Sequence, residues 1–401
     1  MRILQLAPRL PYPLTDGGAI GIFKPTEAIA ALGHDITFVT YPDQDLAVTQ
    51  EAVEKFSRFC RIELVDRPLP SRNTTLLRTI FSGAYPIERR MMPEMYSLLE
   101  KLLSKNTYDI VHLDASHMGK YGLWIKERFG LPVILRQHNF ETLIYKRFAA
   151  NAKNPVAKFV ASIHAKRLLA EETIYMNGLN GVISITSEDD ALMRKLAPKT
   201  KFWVIPAGVD TEYFKPQPID LEENNVLWVG GMHWDPNRDA VEYFVKEIFP
   251  LIVERLPYTN FNIVGTGTES LKALASKSDG KIRLLGRITD IRTELAKAKV
   301  MICPLRVGGG MRLKLLDFFS AGKAIVSTHI GAEGNLGKDG EHLLLRDDPR
   351  SFAEAVILLL ENKELRERLG KNARKLAEEK YSWQSIAGEF SRVYEEVLLT
   401  I

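Results

Sequence analysis

Short apolar runs recur along the chain, separated by longer stretches in which apolar residues return at helical spacing. In the first half the runs are Ile3 to Ala7, Ile36 to Val39, Cys60 to Val65, Ile110 to Leu113, Val133 to Leu135 and Val182 to Ile185. Most lack strict alternation with polar residues, which predicts strands covered on both faces, as in a parallel sheet. The stretch from Gly18 to Leu32 carries Ile22, Ile29 and Leu32 near helical spacing and meets a stop at Gly33, so it predicts a helix, with Pro25 marking a kink. The second half repeats the alternation, with strands expected at Val226 to Val229, Phe261 to Val264, Ile282 to Leu285, Val300 to Cys303, Ala324 to Ser327 and Leu343 to Leu345. The tail is helical in pattern, over Phe352 to Leu360, Leu365 to Ala377 and about Trp383 to Leu399. Strands alternating with helices twice over predict two doubly wound, Rossmann-like α/β domains. The expected bounds are 1–205 and 206–380, with 381–401 a last helix packing back toward the first domain. Pro216 and Pro218, with Asp220, Glu222 and Glu223, read as an exposed linker.

Composition narrows this picture. A chain of 401 residues exceeds what one ordinary core supports. The net charge of +4 is too small to indicate a nucleic-acid partner. Cys60 and Cys303 lie far apart in apolar runs and read as small core residues in a reducing compartment, and no zinc-type Cys/His spacing occurs. The N-terminal apolar run is too short for a signal peptide and no run approaches a membrane span, so a cytoplasmic protein is expected.

The strongest chemical signal is Val307-Gly308-Gly309-Gly310-Met311-Arg312-Leu313-Lys314, which follows the strand run Val300 to Cys303 and opens a helical pattern. A helix start carries unpaired N–H groups and partial positive charge, so an anion there is stabilised twice. Glycines allow the backbone to approach that anion. Helices usually place acids in the first turn. Arg312 and Lys314 reverse that preference, which points to a bound anion, and Asp317 stands where a carboxylate accepts hydrogen bonds from sugar hydroxyls. Gly230-Gly231 ends the first strand of the second half in another close-approach loop. In the first half, a proline-studded loop leads to Asp16-Gly17-Gly18, which lacks the later glycines of a dinucleotide fingerprint. Arg136-Gln137-His138-Asn139-Phe140-Glu141 follows the strand run Val133 to Leu135, at the end where open α/β sheets bind ligands. There His138 suits donation to a sugar hydroxyl or carbonyl, and Glu141 suits acceptance from one.

From Thr142 to Ala170 there is no acid, while Lys146, Arg147, Lys153, Lys158, Lys166 and Arg167 all occur. Val156, Phe159, Val160 and Ile163 share one helical face. This basic amphipathic pattern fits a surface for anionic lipid, with Arg67, Arg72 and Arg78 adding to it, and it fits equally a core-packing helix with a solvated basic side.

Val204-Ile205-Pro206-Ala207-Gly208-Val209-Asp210-Thr211-Glu212-Tyr213-Phe214 resembles a signature of glycosyltransferase family 4, whose members are retaining enzymes of the two-domain GT-B fold. The resemblance continues through Gly286-Arg287, the glycine loop, Gly322 to Ser327, Gly331-Ala332-Glu333-Gly334, Asp339 to His342 and Tyr381-Ser382-Trp383. It implies two Rossmann-like domains facing across a cleft, and sugar transfer from a nucleotide diphosphate sugar to a saccharide or lipid-linked acceptor, without a metal or other cofactor, in cell-surface polysaccharide or glycoconjugate synthesis. By the same resemblance His138, Arg312 and Lys314 are the catalytic candidates. Gly231, Arg287, Ile288, Gly309, Gly310, Met311, Leu313, Asp317 and Glu333 are the donor-binding candidates, while Gly17, Gly18 and Glu141 belong to the acceptor side. Gly309 stands where the family often has the first of two glutamates, and Asp317 where it has the second; members with a GGGxRxK loop resemble this chain. A GT-B epimerase and an inactive nucleotide-sugar-binding module are the alternatives. The basic segment from Lys146 to Arg167 adds an expectation of peripheral contact with the inner face of a membrane.

Overall fold

The computed structural model describes residues 1–14, 17–70, 79, 83–151, 154–218, 223–308 and 310–400. Gly309 therefore lies outside the described residues, as do Asp16, Arg72, Arg78, Lys153, Asp220 and Glu222. The chain forms two compact units, one of Met1–Pro206 with the chain from Ile386 onward, the other of Ala207–Ser385. Tyr381 to Ser385, grouped from sequence with the last helix, fall in the second unit.

The first unit holds a parallel sheet of seven strands: β1 (Arg2–Leu6), β2 (Asp35–Thr40), β3 (Arg61–Leu64), β4 (Ile110–Asp114), β5 (Val133–Gln137), β6 (Gly181–Ser184) and β7 (Phe202–Val204). Their order is β3-β2-β1-β4-β5-β6-β7, so β1 pairs on one side with β2 (Ile3 beside Ile36) and on the other with β4 (Ile3 beside Ile110). The chain reverses direction across the sheet between β1 and β4, and the crevice at such a switch point is where open α/β sheets take ligands. Strand β7 has no counterpart among the sequence expectations. It is three residues long and sits at the start of the segment read as a domain change, where periodicity has nothing to work on.

Helices cover the sheet. Helix α1 (Gly17–Ala31) contains Pro25, buried, and Gly17 and Gly18 are its first residues rather than part of a loop. The basic segment is two helices, α2 (Glu141–Asn151) and α3 (Pro155–Gly178). Asn154 caps α3, accepting hydrogen bonds from Val156 N at 2.9 Å and Ala157 N at 3.3 Å, with Pro155 in the position where its missing N–H costs nothing.

In the second unit the strands are β8 (Asn224–Val229), β9 (Thr259–Val264), β10 (Ile282–Gly286), β11 (Val300–Cys303), β12 (Ala324–Ser327) and β13 (Leu344–Leu345). Their order β10-β9-β8-β11-β12-β13 is again parallel with a switch point, here between β8 and β11, where Val226 pairs with Val300. Helix α4 (Asp235–Tyr243) follows β8 and helix α5 (Leu313–Ser320) follows β11, so both point their N-termini at that crevice.

Helix α6 (Trp383–Leu398) packs its second part on the first unit's sheet. Tyr394 OH lies 2.5 Å from His112 Nδ1, Glu396 accepts from Trp203 Nε1 at 2.7 Å, and Phe390 stacks 5.1 Å from the Arg136 guanidinium. Among the described residues no helix is long and apolar enough to cross a membrane.

Candidate functional site

In the second unit, strand β11 ends at Cys303 and the chain runs through Gly308 and Gly310 to Arg312, the N-cap of α5. Gly308 has φ +138°, and a Cβ there would lie 2.6 Å from Arg312 Nη2, so only glycine lets the guanidinium fold back over the turn. Arg312 is 6% exposed, its guanidinium 5.7 Å from the Trp234 ring and 4.0 Å from Glu333. No side chain caps the helix and its first turn holds no acid, so its leading N–H groups and positive dipole end face the turn.

Lys314 comes from the first turn of α5 and reaches the end of β8. Its Nζ lies 3.7 Å from the buried Trp228 ring and donates to Asn237 Oδ1 at 3.3 Å. Asn237 Nδ2 in turn donates to the Gly231 carbonyl at 2.9 Å, tying the Gly230-Gly231 loop to the lysine. Among the described residues no carboxylate lies within 4 Å of Lys314, and burial, with Arg312 adding repulsion, pulls its ammonium down to about 8. Two cations thus lie at one glycine turn, with Glu333 4.0 Å from Arg312 and, among the described residues, no carboxylate within that distance of Lys314, an arrangement stabilised by an anion.

The adjoining loops close against one another. A Cβ on Gly265 would lie 2.1 Å from the Gly230 carbonyl oxygen, and Met232 N donates to Thr266 O at 2.8 Å, so the ends of β8 and β9 are in backbone contact. Gly310, Met311 and Leu313 are half-buried along the turn. Asp317 is also half-buried; its carboxyl has no hydrogen-bond partner among the described residues, and burial pushes it up to about 8. It therefore stands as an acid at neutral pH, able to donate as well as accept, where the sequence suggested a carboxylate acceptor. Arg287 and Ile288 follow β10, at the edge of the sheet and roughly 10 Å, two strand spacings, from β8. Arg287 is exposed, and among the described residues no hydrogen bond links it to the cradle.

In the first unit, His138 follows β5 and its Nε2 lies 3.1 Å from Asp114 Oδ1. Asp114, fully buried at the end of β4, also accepts from Gln5 Nε2 at 2.6 Å and faces Arg136 at 3.6 Å and His112 at 3.5 Å. Burial alone would raise this carboxyl; His112 and His138 hold it below the usual carboxylate range. Burial and then Arg136 lower the His138 imidazole, which keeps it neutral at pH 7. The other edge of its ring meets Gly21 of α1, whose carbonyl accepts from Arg136. Gly17 and Gly18 are exposed one turn earlier on the same helix.

Glu141 opens α2 beside Glu172 of α3. Glu172 accepts from Gln137 Nε2 at 2.5 Å, Thr142 Oγ1 at 2.6 Å and the Glu141 and Thr142 amides at 3.1 Å. Burial pushes both carboxyls up to about 7, reinforced at Glu141 by repulsion from Glu172 and opposed at Glu172 by the hydrogen bonds that it accepts from Thr142. Glu141 thus belongs to a buried acid pair. A separate pocket of about 770 Å³ opens where β1, β2 and β3 end, lined by Arg9, Leu10, Tyr12, Asp43, Arg89 and Arg90 among others.

Sequence reasoning did not reach Asp114, Gln5, Glu172, Trp228, Trp234 or Asn237, and it named Arg136 without a role. Asp114 had a signal, a charged residue at the carboxyl end of a buried run. The structure bears on the two readings of the basic segment at two points. Val156 and Phe159 are 69% and 66% exposed, while Ala161, His164, Ala165 and Leu168 face inward, so the core-packing face begins later on α3. Arg167 donates to the Thr79 and Gly83 carbonyls at 2.6 and 2.9 Å, and Arg67 pairs with Glu94, so neither faces outward as a lone charge.

Comparison with known proteins gives the family. The pattern described as Glycosyltransferase Family 4 matches residues 15–213, and that of Glycosyl transferases group 1 matches residues 223–362. An uncharacterized 44.6 kDa protein in the cps region of Klebsiella pneumoniae is 23% identical, over 98% of this chain and 99% of that one. The phosphatidyl-myo-inositol mannosyltransferase of Mycobacterium tuberculosis is 30% identical over 48% of this chain and 53% of its own length, so that likeness spans about half of each protein. Among solved structures, sucrose-phosphate synthase from Thermosynechococcus elongatus superposes with a TM-score of 0.74 at 17% identity, covering 100% of both chains, a likeness of fold. With a family 4 pattern on its first half and a group 1 pattern on its second, the protein is a glycosyltransferase of the GT-B fold.

Proposed function

We propose that the protein moves a sugar from a nucleotide diphosphate sugar to a saccharide or lipid-linked acceptor, retaining the anomeric configuration and using no metal, in the synthesis of a cell-surface polysaccharide or glycoconjugate. The observation that carries this reading is the convergence of Arg312 and Lys314 on the glycine turn at the start of α5, where Lys314 has no carboxylate partner among the described residues. Departure of the nucleotide leaves negative charge on its terminal phosphate as the anomeric centre becomes oxocarbenium-like. The α5 N–H groups and the two cations stabilise that charge where it develops. The departing phosphate assists deprotonation of the acceptor hydroxyl, and neutral His138, whose Nε2–H is given to Asp114, accepts at Nδ1 from a hydroxyl of the sugar. Asp317 takes the ribose, the segment at Arg287 and Ile288 borders the base, and Glu333 orients Arg312. The Arg312 and Lys314 spacing after the glycines supports a reading of the chain as a GGGxRxK member of the family.

The names of the two relatives, a cps-region protein and a phosphatidyl-myo-inositol mannosyltransferase, favour a polysaccharide or lipid-linked product. The exposed side of the α2–α3 pair supports a membrane-proximal acceptor, because Ile144, Phe148, Val156 and Phe159 are exposed beside Lys146, Lys158 and Lys166. Apolar side chains ringed by cations fit an anionic leaflet. The chain would then act peripherally at the inner, cytoplasmic face of the membrane, consistent with its free cysteines.

A thermal-shift screen of nucleotide sugars tests the donor assignment, since ligand at a hundred times its Kd adds about 2.7 kcal/mol of stability. Transfer to an acceptor extract in the presence of EDTA, with the product anomer read by NMR, tests the rest. Isomerised nucleotide sugar without acceptor would favour an epimerase instead.

A further inference from the structure

The pocket at the ends of β1, β2 and β3 has an unusual charge balance. Arg89 and Arg90 are adjacent, and among the described residues neither has a carboxylate within 4 Å. Arg89 donates from Nε to the Pro70 carbonyl at 2.9 Å, and among the described residues its terminal nitrogens have no hydrogen-bond partner. Arg90 donates from Nε to the Pro8 carbonyl at 2.9 Å and from Nη1 to the Pro86 carbonyl. Backbone carbonyls orient a guanidinium but do not neutralise it. Burial pulls Arg90 down to about 10, with Tyr41 opposing and Arg89 reinforcing the shift. The acid that it senses most strongly is Glu141, itself pushed up to about 7 and so only partly charged at neutral pH. Asp43, the one acid on the pocket wall among the described residues, spends Oδ1 on the Asp45 amide at 2.9 Å. Arg9 adds a third guanidinium to the same wall, and Leu10, Tyr12 and Pro13 give it an apolar side.

Two half-buried guanidiniums with neutral partners, beside an apolar wall and at the carboxyl ends of parallel strands, fit a ligand with one tetrahedral anion and a less polar body. We propose that this pocket binds a phosphate group of the acceptor, so that the sugar is transferred to a molecule carrying a phosphate monoester or diester. The proposal rests on the transferase reading above, and it adds the class of acceptor. Arg89 and Arg90 grip the phosphate, and the chain on the far side of the phosphate lies along Leu10 and Tyr12.

Isothermal titration of the full chain with geranyl phosphate, glucose 1-phosphate and geraniol tests this, with UDP and GDP both present to occupy the cradle of the second unit. Binding of either phosphate, with geraniol at least tenfold weaker, supports the proposal, and the better of the two tells a prenyl from a sugar acceptor. Arg89→Gln should weaken that phosphate about tenfold, whereas Arg90→Lys, which keeps the charge, should weaken it less. The proposal is overturned if neither phosphate binds, if geraniol binds as well as its phosphate, or if Arg89→Gln leaves the affinity unchanged while its melting curve matches the parent. UDP and GDP titrated alone report the donor cradle separately, so failure there strikes the donor assignment and leaves the pocket result standing.

Discussion

Lys314 Nζ sits 3.7 Å from the ring of Trp228, a cation laid on a fully buried indole and steadied by Asn237. Its surroundings have lowered it from 10.5 to about 8, so in the unliganded protein it is charged below that pH and neutral above it. Affinity for a nucleoside diphosphate should hold up to about pH 8 and then fall by up to about tenfold per unit. Stability should run the other way: between about 8 and 10.5 the unfolded chain keeps a proton that the folded chain has lost, so Lys314 makes stability rise with pH across that window. Titrations and urea melts of Lys314→Met should lack both trends.

On the proposed reading, Lys314 and Arg312 meet charge that grows on the leaving phosphate. Lys314→Ala should therefore cut kcat by about a hundredfold or more while donor affinity changes far less. Stopped assays at saturating donor, beside direct nucleotide titration, separate the two quantities; near-normal turnover would defeat the assignment.

Asp114 holds His138, Gln5 and Arg136 at once, with no water-exposed surface of its own. Asp114→Asn keeps the shape but strips the charge facing Arg136, which should cost about 3–5 kcal/mol in urea unfolding. Because Asp114 raises the His138 pKa against the effect of burial, the variant should lower it further, measurable by NMR of the imidazole protons.

Phe148 and Phe159 are 58% and 66% exposed on neighbouring helices of the basic segment. Replacing both with Ser should abolish flotation with phosphatidylglycerol vesicles at moderate salt and leave melting almost unchanged, since neither side chain is in the core. Lys146→Gln with Lys158→Gln should weaken binding mainly at low salt, by about 1 kcal/mol per charge. Flotation of the Phe148→Ser, Phe159→Ser protein equal to the parent would remove the membrane surface from this face.

The chain by itself determined the two-domain α/β architecture, because a strand covered on both faces needs an apolar run and a crossover helix needs its own period, and both are local patterns. It also carried the candidate anion cradle: three glycines, Arg312 and Lys314 lie within one short stretch, so a helix start against a strand end is enough to propose it. What lies outside one stretch only the tertiary structure decided. Lys314 meets Trp228 and Asn237 because β8 and β11 are neighbours, although 86 residues of sequence numbering separate Trp228 from Lys314 (314 less 228). His138 meets Asp114 because β4 lies beside β5, and Glu141 joins Glu172 only through the packing of α2 on α3. Which face of α3 turns inward was equally invisible, since Val156 and Phe159 are as apolar as Leu168 and only the neighbouring backbone determines which of them it covers.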